Sequence, residues 1–116
     1  MAKLAISTSD RLYIDQHFGK TEVFSIYTLD KSGEYEFVEE RNVTAACHGA
    51  GWERTHDENV FDRTAEILSD CDGVFVSHIG RGALVYLLNR SVRVFEVEGS
   101  IEAAFAEAIR LGLFWK

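Results

Sequence analysis

Four histidines and two cysteines carry the most versatile ligand chemistry in this 116-residue chain, and five of the six fall in three loop-like stretches. These are Asp15-Gln16-His17-Phe18-Gly19, the segment from Cys47 to His56, and Ser77-His78-Ile79-Gly80-Arg81-Gly82. Imidazole and thiolate suit zinc, copper, iron and iron–sulfur clusters, and a site gathered from separate loops needs no local repeat. Neither Cys-x-x-Cys nor His-Glu-x-x-His occurs. Any metal site must therefore be made by convergence in space.

Each residue has a plainer alternative. His17, beside Phe18 and Gly19, is either a ligand or a turn histidine bonded to backbone. Cys47 and His48 are adjacent and reach one ion only if their loop bends suitably; otherwise His48 faces solvent. His56 stands near the start of a helix, where a local hydrogen bond competes with metal ligation. His78 follows an apolar strand and reads equally as a ligand or a packed neutral ring. Cys71 recurs on the apolar face of a helix and reads as a structural thiol.

Gly80-Arg81-Gly82 permits close backbone approach at a helix start, and Arg81 brings positive charge to an anionic ligand; an exposed arginine in an ordinary strand-to-helix turn is the competing reading. Hydrolytic chemistry has less support. Asp10 and Asp15 share a loop suited to a hard cation, but Ser77 and His78 stand where a third carboxylate would follow the apolar strand. Cys47 with His48 or His78 imitates a nucleophilic pair, yet no oxyanion hole or orienting third residue is recognisable. A binding protein is expected rather than an enzyme.

The elements that must position these groups read in chain order. Lys3 to Ser7 is a short strand ending in Ser7-Thr8-Ser9-Asp10, and Val23–Leu29 with Tyr35–Glu40 form a hairpin whose second arm lies at a sheet edge. Thr55 and Glu58 fit a capping box, and Val60, Phe61, Ala65, Leu68 and Cys71 follow at helical spacing. Val74-Phe75-Val76 is expected at the centre of the sheet. Ala83 to Leu88 is a helix and Val92 to Val97 a strand, completing a βαβ unit. Ser100 caps a final helix with Ile101, Ala104, Phe105, Ala108 and Leu111 on one face, and Gly112 ends it. The resulting order, βββαβαβα, is an α/β fold with a mixed five-stranded sheet and flanking helices.

Composition closes off other classes. With 47% hydrophobic residues and this length, one domain with a substantial core is expected rather than a two-domain enzyme. A net charge of −7 argues against nucleic acid or an anionic membrane as the partner, and the apolar runs fall short of the ~20 residues of a bilayer span. Two cysteines make no disulfide framework, and Met1 followed by a strand-like run differs from a secretory signal, so a cytoplasmic protein is expected.

Several stretches resemble a known family. Lys3-Leu4-Ala5-Ile6-Ser7, Asp15-Gln16-His17-Phe18-Gly19-Lys20, Phe24-Ser25-Ile26-Tyr27, Leu68-Ser69-Asp70-Cys71-Asp72, Ile79-Gly80-Arg81-Gly82-Ala83 and the run Val97 to Ala104 occur in the right order along nearly the whole chain. The chain thereby resembles the dinitrogenase iron–molybdenum cofactor biosynthesis family, of the NifX, NafY and NifB C-terminal type. The resemblance implies a ribonuclease H-like fold lacking the nuclease carboxylates, with residues 1–116 forming one cofactor-binding domain. It also implies a non-catalytic carrier of iron–sulfur or iron–molybdenum cofactor precursors that serves metallocluster assembly proteins. His17 matches the family histidine, and Cys47 lies near a position where related proteins carry a cysteine.

Three readings follow. The leading one is a cluster carrier, a monomer or weak homo-oligomer, using His17 and Cys47. The second is a mononuclear zinc or other transition-metal protein using His48, His56 or His78 with Cys47. The third is a metal-free interaction module docking through an exposed C-terminal Leu113-Phe114-Trp115 segment.

Overall fold

The computed structural model describes residues 1–44 and 58–115. Its strands are β1 (Ala2–Ile6), β2 (Tyr13–Ile14), β3 (Val23–Leu29), β4 (Tyr35–Asn42), β5 (Gly73–Val76), β6 (Val94–Glu96) and β7 (Gly99–Ser100). Its helices are α1 (Glu58–Ile67), α2 (Arg81–Leu88) and α3 (Ile101–Leu111), with a single 3-10 turn at Phe18–Lys20. The main sheet has five strands in the order β4-β3-β1-β5-β6, and β2 pairs with β7 in a separate ribbon. The hairpin arms are antiparallel, whereas β1, β5 and β6 run parallel. Apart from the short β2 and β7, this is the order expected from the sequence.

Alternation along the strands makes two cores from one sheet. Ala5, Phe24, Ile26, Val74 and Val76 pack with Phe61, Leu68 and Leu87 on the face that carries α1 and α2. Leu4, Ile6, Leu29 and Phe75 pack with Ile101, Phe105 and Ala108 of α3 on the other. The layers are therefore helix, sheet, helix. At Ile26/Tyr27 the β3–β4 register shifts, leaving Val38 as the extra, exposed residue while Phe37 packs on the α3 side.

Three expectations are corrected. β1, not Val74-Phe75-Val76, occupies the centre; β5 lies next to it and is wholly buried, with a parallel neighbour on each side. Cys71 lies beyond α1, in the turn before β5, and is half-buried against the first core. The Leu113-Phe114-Trp115 segment is not a free tail. Phe114 lies over the sheet with ring centroids 5.8 Å from Phe95 and 6.5 Å from Phe75, so the segment packs, partly buried, against the second core.

The last helix forms as its sequence directs. Ser100 Oγ accepts a hydrogen bond from the Ala103 N–H at 3.0 Å, and Gly112 terminates the helix at φ 63°. Thr55, the expected cap of α1, is outside the described residues.

Candidate functional site

Strand β1 ends at Ile6, and the Ser7 N–H still reaches the Phe75 carbonyl at 2.9 Å. Beyond that point a returning segment takes the place of β1 beside the continuation of β5. The Ser77 N–H donates to the Gln16 carbonyl at 3.0 Å and the Phe18 N–H to the His78 carbonyl at 2.8 Å, a parallel bridge that sets His17 opposite His78. Paired residues on adjacent extended segments have side chains on the same side, so the two imidazoles become neighbours. Their ring centroids are 5.1 Å apart with planes tilted by 56°.

Apolar anchors keep both rings outside. Phe18 is buried between Phe24 and Phe61, each with a centroid 6.4 Å away, and Ile79 is buried in the same core. Each anchor directly follows a histidine, so successive side chains point in opposite directions. A polar pin holds the returning segment from beneath: Thr21 Oγ1 donates to the His17 carbonyl at 2.7 Å and lies 2.7 Å from Ser7 Oγ, with Ser7 and Thr21 fully buried.

Glu96 completes this rim, and the sequence reading missed it. It is the last residue of β6, and its Oε2 accepts the Ile79 N–H at 2.9 Å while lying 3.3 Å from His78 Nδ1. The His78 and Glu96 side chains remain 59% and 51% exposed, leaving room for a ligand over them. The only available signal was topological: Glu96 ends the parallel strand next to β5, where crevices form in such sheets.

Two of the three predicted loops therefore converge at the carboxyl ends of parallel strands. Cys47, His48 and His56 belong to the third and lie outside the described residues. Among the described residues no three His, Cys, Asp or Glu side chains are grouped to hold a metal ion. Gly80 is the N-cap of α2, with Arg81 and Gly82 exposed in its first turn. A Cβ at Gly80 would meet nothing within 4 Å, so glycine is not required there by close packing.

The loop carboxylates expected to suit a hard cation are engaged by their own backbone. Asp10 Oδ1 accepts the Leu12 and Tyr13 N–H groups at 2.8 and 2.9 Å, which hold its carboxyl below the usual range. Asp15 Oδ1 accepts the Ser9 N–H at 3.0 Å, and its Oδ2 takes the Ser9 hydroxyl. Cys71, at the opposite end of β5, has its thiol pushed up to about 11 by burial first and by Asp70 second. It is a poor thiolate ligand in that state.

Comparisons with known proteins agree with this architecture. Residues 1–111 match the family model described as Dinitrogenase iron-molybdenum cofactor. The chain is 34% identical over 104 residues to the FeMo cofactor biosynthesis protein NifB of Frankia alni, a match covering 90% of this chain and 20% of that protein. It is 27% identical over 114 residues to Protein NifX of Azotobacter vinelandii, covering 97% of this chain and 68% of NifX. It thus spans about a fifth of the length of NifB and two thirds of NifX. The crystal structure of PH0822 has the same fold, with a TM-score of 0.62 at 21% identity over 93% of this chain and 90% of that one. Among the described residues no helix is long and apolar enough to cross a membrane. A family match running from the first residue through the end of α3 establishes that the chain belongs to the dinitrogenase iron–molybdenum cofactor family.

Proposed function

We propose that this protein is a non-catalytic carrier of an iron–sulfur or iron–molybdenum cofactor precursor, acting in the cytoplasm in nitrogenase cofactor or related metallocluster assembly. The observation that carries the reading is the backbone-bridged pair His17 and His78, two exposed imidazoles with centroids 5.1 Å apart at the carboxyl ends of the parallel strands. Family membership supports the same pathway: similarity to NifB and NifX relates the chain to FeMo cofactor biosynthesis. The strand order, an antiparallel hairpin beside three parallel strands, supports a ribonuclease H-like classification, with residues 1–116 as one cofactor-binding domain.

In this reading His17 is the principal ligand to a cluster iron, His78 stands beside it, and Cys47 contributes a thiolate. Gly80, Arg81 and Gly82 supply the backbone N–H groups and positive charge of the α2 start to an anionic cargo. That local field offsets the overall charge of −7. Few protein ligands suit a carrier, because an assembly protein can replace them one at a time. Transfer is then ligand exchange with no change of oxidation state.

Anaerobic reconstitution with ferrous iron and sulfide, followed by metal analysis and visible absorption, tests the reading. Retained iron with sulfur-to-iron charge-transfer bands is expected in the wild type, with loss in His17→Ala combined with Cys47→Ala. A protein that retains no cluster, or a double variant indistinguishable from wild type, overturns it. Tight stoichiometric zinc would instead support a mononuclear zinc site.

A further inference from the structure

We propose that Glu96 is the positioning residue that sets which nitrogen His78 offers to the cargo. A neutral imidazole has one N–H and one lone pair, and the hydrogen bond made by one nitrogen decides what the other presents. Glu96 Oε2 lies 3.3 Å from His78 Nδ1 and is itself held by the Ile79 N–H at 2.9 Å. The acceptor is therefore fixed to the backbone of the residue that follows the histidine. A carboxylate in that place favours a proton on Nδ1 and leaves the lone pair on Nε2, the nitrogen farther from Glu96. Carboxylate-supported imidazoles are also more basic and better oriented donors, and loss of such a partner typically weakens metal affinity by about 10- to 100-fold.

This rests on the carrier reading for its use but not for its geometry, and the two are separable by experiment. Side-chain ¹⁵N correlation spectra, recorded without metal at a pH where the imidazoles are neutral, report the tautomer of each histidine. Free imidazole favours the proton on Nε2, so a dominant Nδ1–H form at His78 is a recognisable signature of the carboxylate. Glu96→Ala is expected to shift His78 toward the Nε2–H form while leaving His17 unchanged. Glu96→Gln keeps a neutral acceptor and is expected to retain much of the wild-type signature.

Anaerobic ferrous iron and sulfide reconstitution then reads the consequence, with about a tenfold or greater loss of cluster retention in Glu96→Ala and partial rescue in Glu96→Gln. Far-UV circular dichroism verifies the fold of both variants. A wild-type His78 already in the Nε2–H form, or a tautomer indifferent to Glu96→Ala, overturns the role of Glu96 whatever the cluster does. A tautomer that depends on Glu96 in a wild-type protein that takes up no cluster supports the positioning role and overturns the carrier reading. A shifted tautomer with undiminished cluster retention overturns the proposed effect on the cargo.

Discussion

The two ends of β5 are built on opposite plans. At its amino end the polar groups satisfy one another: the Lys3 N–H donates to Asp72 Oδ2 at 2.8 Å, Lys3 Nζ reaches Asp70 at 3.0 Å, and Arg41 Nη1 and Nη2 contact the two Asp70 oxygens at 2.6 and 3.0 Å. The only thiol among the described residues, Cys71, sits in this corner, and Phe114 closes over Gly73. At the carboxyl end two imidazoles face outward with Glu96 behind one of them. The contrast shows that ligand-type side chains are not equivalent by type alone. Cys71 in the sealed corner is half-buried against the first core, whereas the rim histidines are exposed and, in the proposed reading, available to the cargo.

Removing the open rim should give the largest functional change. His17→Ala with His78→Ala is expected to cut retained iron after reconstitution by about tenfold or more, the lower bound being what loss of a supporting partner alone costs. Both rings are exposed, so the same double variant should change unfolding free energy by no more than about 0.5 kcal/mol. Unchanged iron, or a collapse in stability, would erase the distinction between the two ends.

The sealed end should respond in the reverse sense. A Cβ on Gly73 would lie 2.9 Å from Phe114 Cζ, so Gly73→Ala is expected to cost about 1–3 kcal/mol in urea unfolding. Phe114→Ala should make the glycine substitution cheaper, a coupling that a double-mutant cycle reads directly. Cluster retention should hold in both folded variants.

Arg41→Ala should follow, at about 1 kcal/mol near neutral pH, because Asp70 is half exposed and water screens the pair. Its pH dependence has a defined sign. Arg41 first, and Lys3 after it, hold the Asp70 carboxyl well below its usual 3.8. The pair therefore contributes fully above that value and loses its contribution as the pH falls through the lower folded range. The difference in stability between wild type and Arg41→Ala should shrink in acid; a constant difference down to strongly acidic pH would contradict the ion-pair account.

The smallest effect is expected from Cys71→Ala, with cluster retention unaltered and stability changed by about 1 kcal/mol or less. In a Cys47→Ala background, alkylation of Cys71 by iodoacetamide near neutrality should be slow, since a thiol pushed up to about 11 is almost wholly protonated there. Rapid alkylation would place this cysteine among the available ligands.

Much of this contrast is legible in the residues. Ser100 and Gly112 mark the ends of α3, the hairpin follows from its aromatic and β-branched runs, and His17 and His78 stand in turns beside buried neighbours. Other parts depend on partners far along the chain. The two-residue pairing of Tyr13-Ile14 with Gly99-Ser100 has no local period to reveal it. Val74-Phe75-Val76 reads as the centre of the sheet because it is more apolar than Ala2–Ile6, although β1 is the strand that lies between β3 and β5. The terminal aromatics read as a free tail because their cover, the face bearing Phe75 and Phe95, becomes visible only after the sheet assembles.

The transfer of the place beside β5 from β1 to residues 16–18 has a consequence for how this protein tolerates change. A slip of one residue there would turn Phe18 toward water and drive His17 into the apolar layer. Insertions or deletions between Ser9 and Leu12 would break the Asp10 hydrogen bonds to the Leu12 and Tyr13 N–H groups and the Asp15 hold on the Ser9 N–H, so the length of this loop is tied to the register of the paired rings. The distance between the two histidines is therefore set in part by a loop that carries neither of them.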